Sequence, residues 1–240
     1  MQGRATQQPY ALVKNVKAPV RTAAGNSITV ERDPFEQLAP RPFAFAAKRA
    51  FDVIASLLAI IVLSPVFLLI AVLIRLDSPG PAIFKARRIG RRGEPFRILK
   101  FRTMVEGAHE RQIDIRHLNE AGAGTFKLSL DPRVTRIGSF LRATSLDELP
   151  QILNVLAGEM SFVGPRPLSD WEEDQLNGGR GRQLTVRPGI TGEWQVSDSW
   201  ALSLQERVEI EAAYQRSWGF RRDLVILMKT LVHVVERRGI

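Results

Sequence analysis

The longest apolar run in the chain extends from Val53 to Ile74 without a charged side chain. As a helix it is long enough to cross a hydrocarbon core of roughly 30 Å. Ser64-Pro65 stands near its middle, where proline withholds a backbone hydrogen bond and bends a helix, and where a serine hydroxyl can satisfy part of what is freed. Basic residues flank the run on both sides: Arg41, Lys48 and Arg49 before it, Arg75, Lys85, Arg87, Arg88, Arg91 and Arg92 after it. A spanning segment leaves its Lys/Arg excess on the cytoplasmic side only. The pattern therefore predicts a helix that enters, breaks at Pro65 and returns to the same face, with a buried pair of soluble helices as the alternative.

Beyond a turn at Asp77-Ser78-Pro79-Gly80-Pro81, alternation predicts two short strands, Ala82 to Arg88 and Pro95 to Arg102, around the basic turn Gly90-Arg91-Arg92-Gly93. Cations so close to a membrane segment suit lipid headgroups. The same alternation points Lys100 and Arg102 to one face, where both could meet a phosphate. A helix and loop are expected over 105–127. Leu149, Ile152, Leu153 and Leu156 repeat with helical spacing, and apolar positions from Val208 to Val234 predict two amphipathic helices for core or membrane-surface packing. Before the membrane run, 1–47 has no sustained period and reads as a flexible tail, with a weak alternation at Ser27–Glu31. It is too long and polar to be the first part of a cleaved signal peptide. The expected organisation is a tail (1–47), a re-entrant membrane helix (48–76) and a catalytic domain (77–240), mainly α with a small β-hairpin.

The 240 residues include 34 Lys+Arg against 25 Asp+Glu, a net charge of +9 that implies anionic partners. Composition does not choose among nucleic acid, phospholipid and phosphorylated substrates, although no recognised nucleic-acid motif is present. With no cysteine, disulfides and thiolate metal sites are excluded.

The densest chemistry lies in Ser139–Pro167, where Asp147 and Glu148 open the helical pattern. Pro150 is tolerated only in a first turn, so the regular helix begins close to Asp147. Two readings stay open. Ser145-Leu146-Asp147-Glu148 fits a capping box in which Glu148 reaches back to the Ser145 amide. The same carboxylates, with Arg142 before them and Arg166 in the rigid turn Gly164-Pro165-Arg166-Pro167, are also a parts list for metal-assisted phosphoryl chemistry.

SLDELPQILNVLAGEMSFVGPRP, with LKFRTM upstream and RPGITG downstream, resembles the bacterial sugar transferases, the monotopic phosphoglycosyl transferases, from about Lys48 to the C-terminus. The resemblance implies a monotopic protein on the cytoplasmic face of a bacterial inner membrane, its re-entrant helix broken at Ser64-Pro65. It implies transfer of a sugar-1-phosphate from a UDP-sugar to undecaprenyl phosphate with release of UMP, as in exopolysaccharide or related glycan initiation. UDP-glucose or UDP-galactose is the expected donor. Asp147 would attack the sugar-bearing phosphorus and form an aspartyl phosphosugar. Glu148 would bind metal or activate the lipid phosphate. Mg²⁺ at Asp147 and Glu148, with Lys100, Arg142 and Arg166, would offset the charge repulsion of that attack. Arg187 becomes a candidate phosphate contact, beside Lys100 and Arg102 of LKFRTM. One departure stands out. Where the family usually continues with Gly-Arg after Gln-Val-Asn/Ser, this chain has Asp198 and Ser199, which removes a cation and alters the loop. The competing classes are a metal-dependent phosphohydrolase, which needs no lipid acceptor, and a non-enzymatic membrane scaffold, which needs no acidic pair. The oligomeric state is not legible.

Overall fold

A computed structural model describes residues 18–21, 27–30, 42–108, 128, 131–176, 184–197 and 202–236. Most of the expected tail, most of the helix and loop over 105–127, and the substituted positions Asp198 and Ser199 lie outside them. The chain divides into two units, Met1–Gln37 and Leu38–Ile240. In the first, strand β1 (Ala18–Arg21) pairs antiparallel with β2 (Ser27–Val30), which accounts for the alternation at Ser27.

The second unit begins with α1 (Pro42–Asp77), one helical element that runs on through Pro65. A break at Pro65 was expected; the helix is continuous there. Local chemistry explains the continuity. Proline has no N–H for the carbonyl four residues back, and that carbonyl, of Ile61, instead accepts from the Ser64 hydroxyl at 2.9 Å. One stripe of the helix faces protein: Asp52, Ser56, Ile70 and Ile74 are buried. The rest is exposed and apolar, including Ile54, Leu58, Ile61, Val62, Leu68, Leu69 and Leu76. Only 11% of its most apolar window is buried, so this helix is not the covered core helix of a soluble protein.

Both ends of α1 are fixed to the same unit. Near its start, Phe45 stacks on Trp218 at 4.7 Å, Lys48 pairs with Asp223, and Asp52 accepts from Ser161 Oγ at 3.1 Å and Phe162 N at 3.2 Å. Near its end, Ile70 and Ile74 pack on Phe101 and Leu141, and Asp77 accepts from Ile137 N at 3.0 Å.

The remaining elements are small and mainly helical. Strands β3 (Ile83–Ile89) and β4 (Pro95–Phe101) form an antiparallel hairpin in which Phe84 lies opposite Lys100. Helix α2 (Arg136–Ala143) is capped by Thr135 and packs so tightly on the hairpin's exit that a Cβ at Gly138 would sit 2.0 Å from the Thr103 carbonyl oxygen. A 3₁₀ turn, Leu146–Glu148, leads into α3 (Gln151–Ala157), with Pro150 as its N-cap residue. Strand β5 (Ser161–Val163) pairs parallel with β6 (Gly189–Thr191), around the short helix α4 (Asp170–Gln175). This pairing joins the GPRP and RPGITG motifs. Gly164 N donates to Thr191 O, and Gly189 N to Pro165 O, both at 2.9 Å. A Cβ on Gly189 would lie 2.1 Å from Gly164 N, so these glycines serve close backbone approach.

Two helices close the described chain, α5 (Leu204–Arg216), opened by a Ser203–Glu206 capping box, and α6 (Phe220–Val235). Val208, Ala212 and Tyr214 of α5 are buried, whereas Leu224, Met228, Leu231 and Val234 of α6 are exposed. Core packing therefore describes α5, and the outer face of α6 is left apolar.

Candidate active site

Helix α3 and strand β4 build the site together, and Asn154 registers them. Its Oδ1 accepts from Leu99 N at 2.9 Å while its Nδ2 donates to Arg97 O at 2.8 Å. A buried amide inside an apolar-periodic run was the sequence signal for this role, since a polar side chain there needs partners. With β4 fixed in this way, Lys100 Nζ reaches Glu148 Oε1 at 2.5 Å. Ser145, the residue before the 3₁₀ turn, has φ 56° and caps nothing with its side chain. The capping-box reading is thereby overturned: the Glu148 carboxylate is turned to Lys100, not to the Ser145 amide. Non-glycine residues hold a left-handed conformation at a cost of order 1 kcal/mol or more, and such residues cluster at functional sites.

The two adjacent carboxylates have different electrostatics. Burial pushes the Asp147 carboxyl up to about 6; Lys100 and Arg142 pull against the rise and the charge of Glu148 adds to it. Burial acts on Glu148 in the same direction, but there the Lys100 ion pair and hydrogen bond, with Arg166 and Gln151, outweigh it and hold the group below its ordinary value. Among the described residues no side chain donates to Asp147. One carboxylate is thus held by cations, and its neighbour is left basic, with a backbone N–H but no side-chain donor. Environments that push a pair of titratable groups apart separate their chemical roles.

Two arginines complete the constellation. Arg142 is directed by a 2.9 Å bond from its Nε to Thr103 Oγ1 and lies within electrostatic reach of Asp147. Burial lowers its pKa, offset in part by Asp147 and Asp131; a guanidinium stays charged regardless. Arg166 acts on Glu148 and lies 5.6 Å from the centre of the Trp194 ring, while its backbone N–H donates to Glu211 at 2.8 Å.

Arg102 and Arg187 both contact backbone carbonyls. The buried Arg102 guanidinium donates to the carbonyls of Ser78 and Pro79, at 2.8 Å to Ser78, and so clamps the turn that follows α1. Arg187 Nε donates to Gly158 O at 2.6 Å, alongside Arg49, which takes the Val155 and Leu156 carbonyls at 2.6 and 2.9 Å. Cations at a helix C-terminus satisfy free carbonyls and favour the dipole. The acidic pair lies beyond the other end of α3, in the 3₁₀ turn that precedes it, roughly 15 Å away at about 1.5 Å per residue. The basic hairpin turn has a comparable structural use in part, since Arg91 Nε donates to Thr185 O at 2.8 Å.

Among the described residues no group of three or more His, Asp or Glu gathers as a metal site. Asp147 and Glu148 are two hard oxygen donors in one turn, a set that fits a cation bound through one or two carboxylates, its own waters and substrate phosphates, as Mg²⁺ commonly is.

The family model for bacterial sugar transferases matches residues 43–237. The chain belongs to the bacterial sugar transferase family. Relatives of this sugar transferase agree with that placement. The exopolysaccharide production protein ExoY of Rhizobium meliloti is 43% identical over 210 residues, covering 86% of this chain and 93% of the relative. The UDP-glucose:undecaprenyl-phosphate glucose-1-phosphate transferase of Caulobacter vibrioides is 38% identical over 80% of this chain and 71% of its own. The undecaprenyl-phosphate galactose phosphotransferase of Salmonella typhimurium is 38% identical over 80% of this chain, which spans 41% of that larger protein. The match begins at Phe43, at the start of α1, so the long apolar helix falls within the family match along with the acidic pair.

Proposed function

We propose that this sugar transferase moves a sugar-1-phosphate from a UDP-sugar to undecaprenyl phosphate, releasing UMP, in the initiation of exopolysaccharide or a related glycan. The observation that carries the reading is the unequal pair in the 3₁₀ turn before α3, where Lys100 pairs with Glu148 and leaves the half-buried Asp147 without a side-chain donor. In the first step an Asp147 carboxylate oxygen attacks the sugar-bearing phosphorus, the bond from that phosphorus to the bridging oxygen breaks, and UMP leaves with its electron pair. In the second, an oxygen of the lipid phosphate attacks the same phosphorus and frees the Asp147 carboxylate. Two displacements replace one difficult one.

Glu148 is the weaker nucleophile because Lys100 occupies its Oε1. Held ionised, it suits the binding of a cation or the orientation of the lipid phosphate. Lys100, Arg142 and Arg166 spread positive charge where phosphate charge accumulates. Mg²⁺, held by Asp147 and Glu148, would supply further charge neutralisation for the diphosphate. UDP-glucose and UDP-galactose are the donors we expect.

The contacts of α1 support a membrane arrangement. Lys48 and Asp52 near one end, and Ile74 and Asp77 near the other, contact the same folded unit. A helix spanning upright would put its ends on opposite sides of roughly 30 Å of hydrocarbon. We therefore read α1 as a re-entrant, monotopic anchor on the cytoplasmic face, which holds the acidic pair at headgroup depth for a soluble donor and a lipid acceptor.

The test is UMP release by detergent-solubilised protein with Mg²⁺ from a panel of UDP-sugars, with and without undecaprenyl phosphate. Lipid-dependent release with one donor supports the reading and names the sugar. Release of sugar phosphate that is independent of lipid would replace it with a phosphohydrolase.

A further inference from the structure

Glu211 is a carboxylate with no place in the reaction as described. It sits on α5, is only 6% exposed, and accepts the Arg166 backbone N–H at 2.8 Å. Arg207, one turn earlier on the same helix, lies 4.6 Å from the centre of the Trp194 ring, which Arg166 approaches at 5.6 Å. One helix thus grips the GPRP turn from behind at its backbone and brackets the arginine's aromatic neighbour. A neutral acceptor would satisfy one amide without the cost of burying a charge. A buried carboxyl is therefore more than satisfaction of that amide requires.

We propose that Glu211 is a positioning residue for donor binding: by holding the Arg166 amide it fixes the Gly164–Pro167 turn and aims the guanidinium at the diphosphate of the donor beside Glu148. This rests on the reading of Arg166 as a donor contact. The groups that face Glu211 are Arg166 and Arg207, which stabilise its charge, and Glu172, which opposes it; Arg88 acts on Arg166 and Glu172 from β3. Burial raises the Glu211 carboxyl to about 7 against the two arginines, so its charge changes close to neutral pH. Ionised, it makes a charge-assisted bond, roughly twice as strong as a neutral one. Protonated, it holds the turn less firmly.

The test compares the full-length protein with Glu211→Gln and Glu211→Leu, using magnesium pyrophosphate as the probe, with affinity measured by calorimetry independently of turnover. Glutamine keeps the amide bond and removes the charge, which guards against a variant that merely fails to fold. Expected is a Glu211→Gln to wild-type Kd ratio near one at about pH 6 that rises to about fivefold at about pH 8.5, the equivalent of one net hydrogen-bond increment. Glu211→Leu should bind more weakly at both pH values. In the UMP assay the same variants should raise donor KM with kcat and lipid KM little changed. Equal pyrophosphate affinity in all three proteins, or a ratio that does not move with pH, overturns the proposal whatever turnover does. Glu211-dependent binding without any UMP release would sink the transferase reading alone.

Discussion

Replacing Lys100 with methionine keeps most of the side-chain volume and removes one charge from the centre of the site. The ammonium sits 2.5 Å from Glu148 Oε1, with side-chain exposures of 26% and 16%. Breaking a fully buried pair costs about 3–5 kcal/mol and a surface pair about 0–1. An intermediate position makes ~2 kcal/mol a reasonable expectation, or a melting temperature lower by about 4–8 °C for a chain of this size. The sign with pH is fixed. Glu148 is held below its ordinary value in the folded protein, so its contribution is present above the unfolded value and is lost as pH falls through the folded one. The gap between wild type and variant should therefore close in acid, in metal-free buffer. Lys100 is also the strongest of the influences that lower Asp147, already at about 6. Without it Asp147 rises further, at about 1.4 kcal/mol for each tenfold loss of ionisation. The acid limb of UMP release should move to higher pH, activity at neutral pH should drop by about tenfold or more, and part of it should return in alkali. Lys100→Arg should retain the limb. A fall in activity with the limb unmoved, or a stability gap that persists in acid, would refute the electrostatic argument.

Asp147→Asn should abolish lipid-dependent UMP release yet raise the melting temperature at neutral pH. An Asp raised from 3.8 to about 6 costs the folded state up to about 3 kcal/mol once both states are ionised, and asparagine lacks that cost; a destabilised variant would contradict the burial argument. Gly138→Ala would place its Cβ 2.0 Å from the Thr103 carbonyl oxygen. It should destabilise by about 2 kcal/mol and weaken donor turnover through the Thr103–Arg142 bond, measured by melting and by UMP release. Chelation with EDTA should abolish UMP release and Mg²⁺ should restore it; full activity in EDTA would remove the metal from the mechanism. Because the chain has no cysteine, single cysteines at the exposed positions Phe43 and Glu94 report topology directly. Both should label from the same side of sealed vesicles, and opposite sides would make α1 a spanning helix.

Much of the architecture was readable from local pattern. The apolar run, the hairpin around Gly90–Gly93 and the pair of C-terminal helices follow from periodicity and turn residues. The Ser64-Pro65 pair even announced its own repair, because the unpaired carbonyl and the hydroxyl lie three residues apart. Less was readable where the partner is distant in sequence. Arg102 and Lys100 share a strand face by alternation, but one meets the carbonyls of Ser78 and Pro79 and the other meets Glu148. The sequence alone does not distinguish a cation that binds substrate from one that binds its own backbone.

The same division runs through the site. Which residue types are available, an acidic pair before a proline-started helix and a cationic strand, is a property of the local sequence, because caps, turns and periodicity act over a few residues. Which carboxylate is basic and which is neutralised is decided in three dimensions. Asn154 sets the register of β4 against α3, and that register puts Lys100 on Glu148 rather than on Asp147. Likewise, Gly164 and Gly189 bring two distant motifs into contact, and Glu211 reaches Arg166 from a helix that begins some forty residues later. Burial and charge act through space, so the chemistry of adjacent Asp147 and Glu148 was settled only when the chain had folded around them.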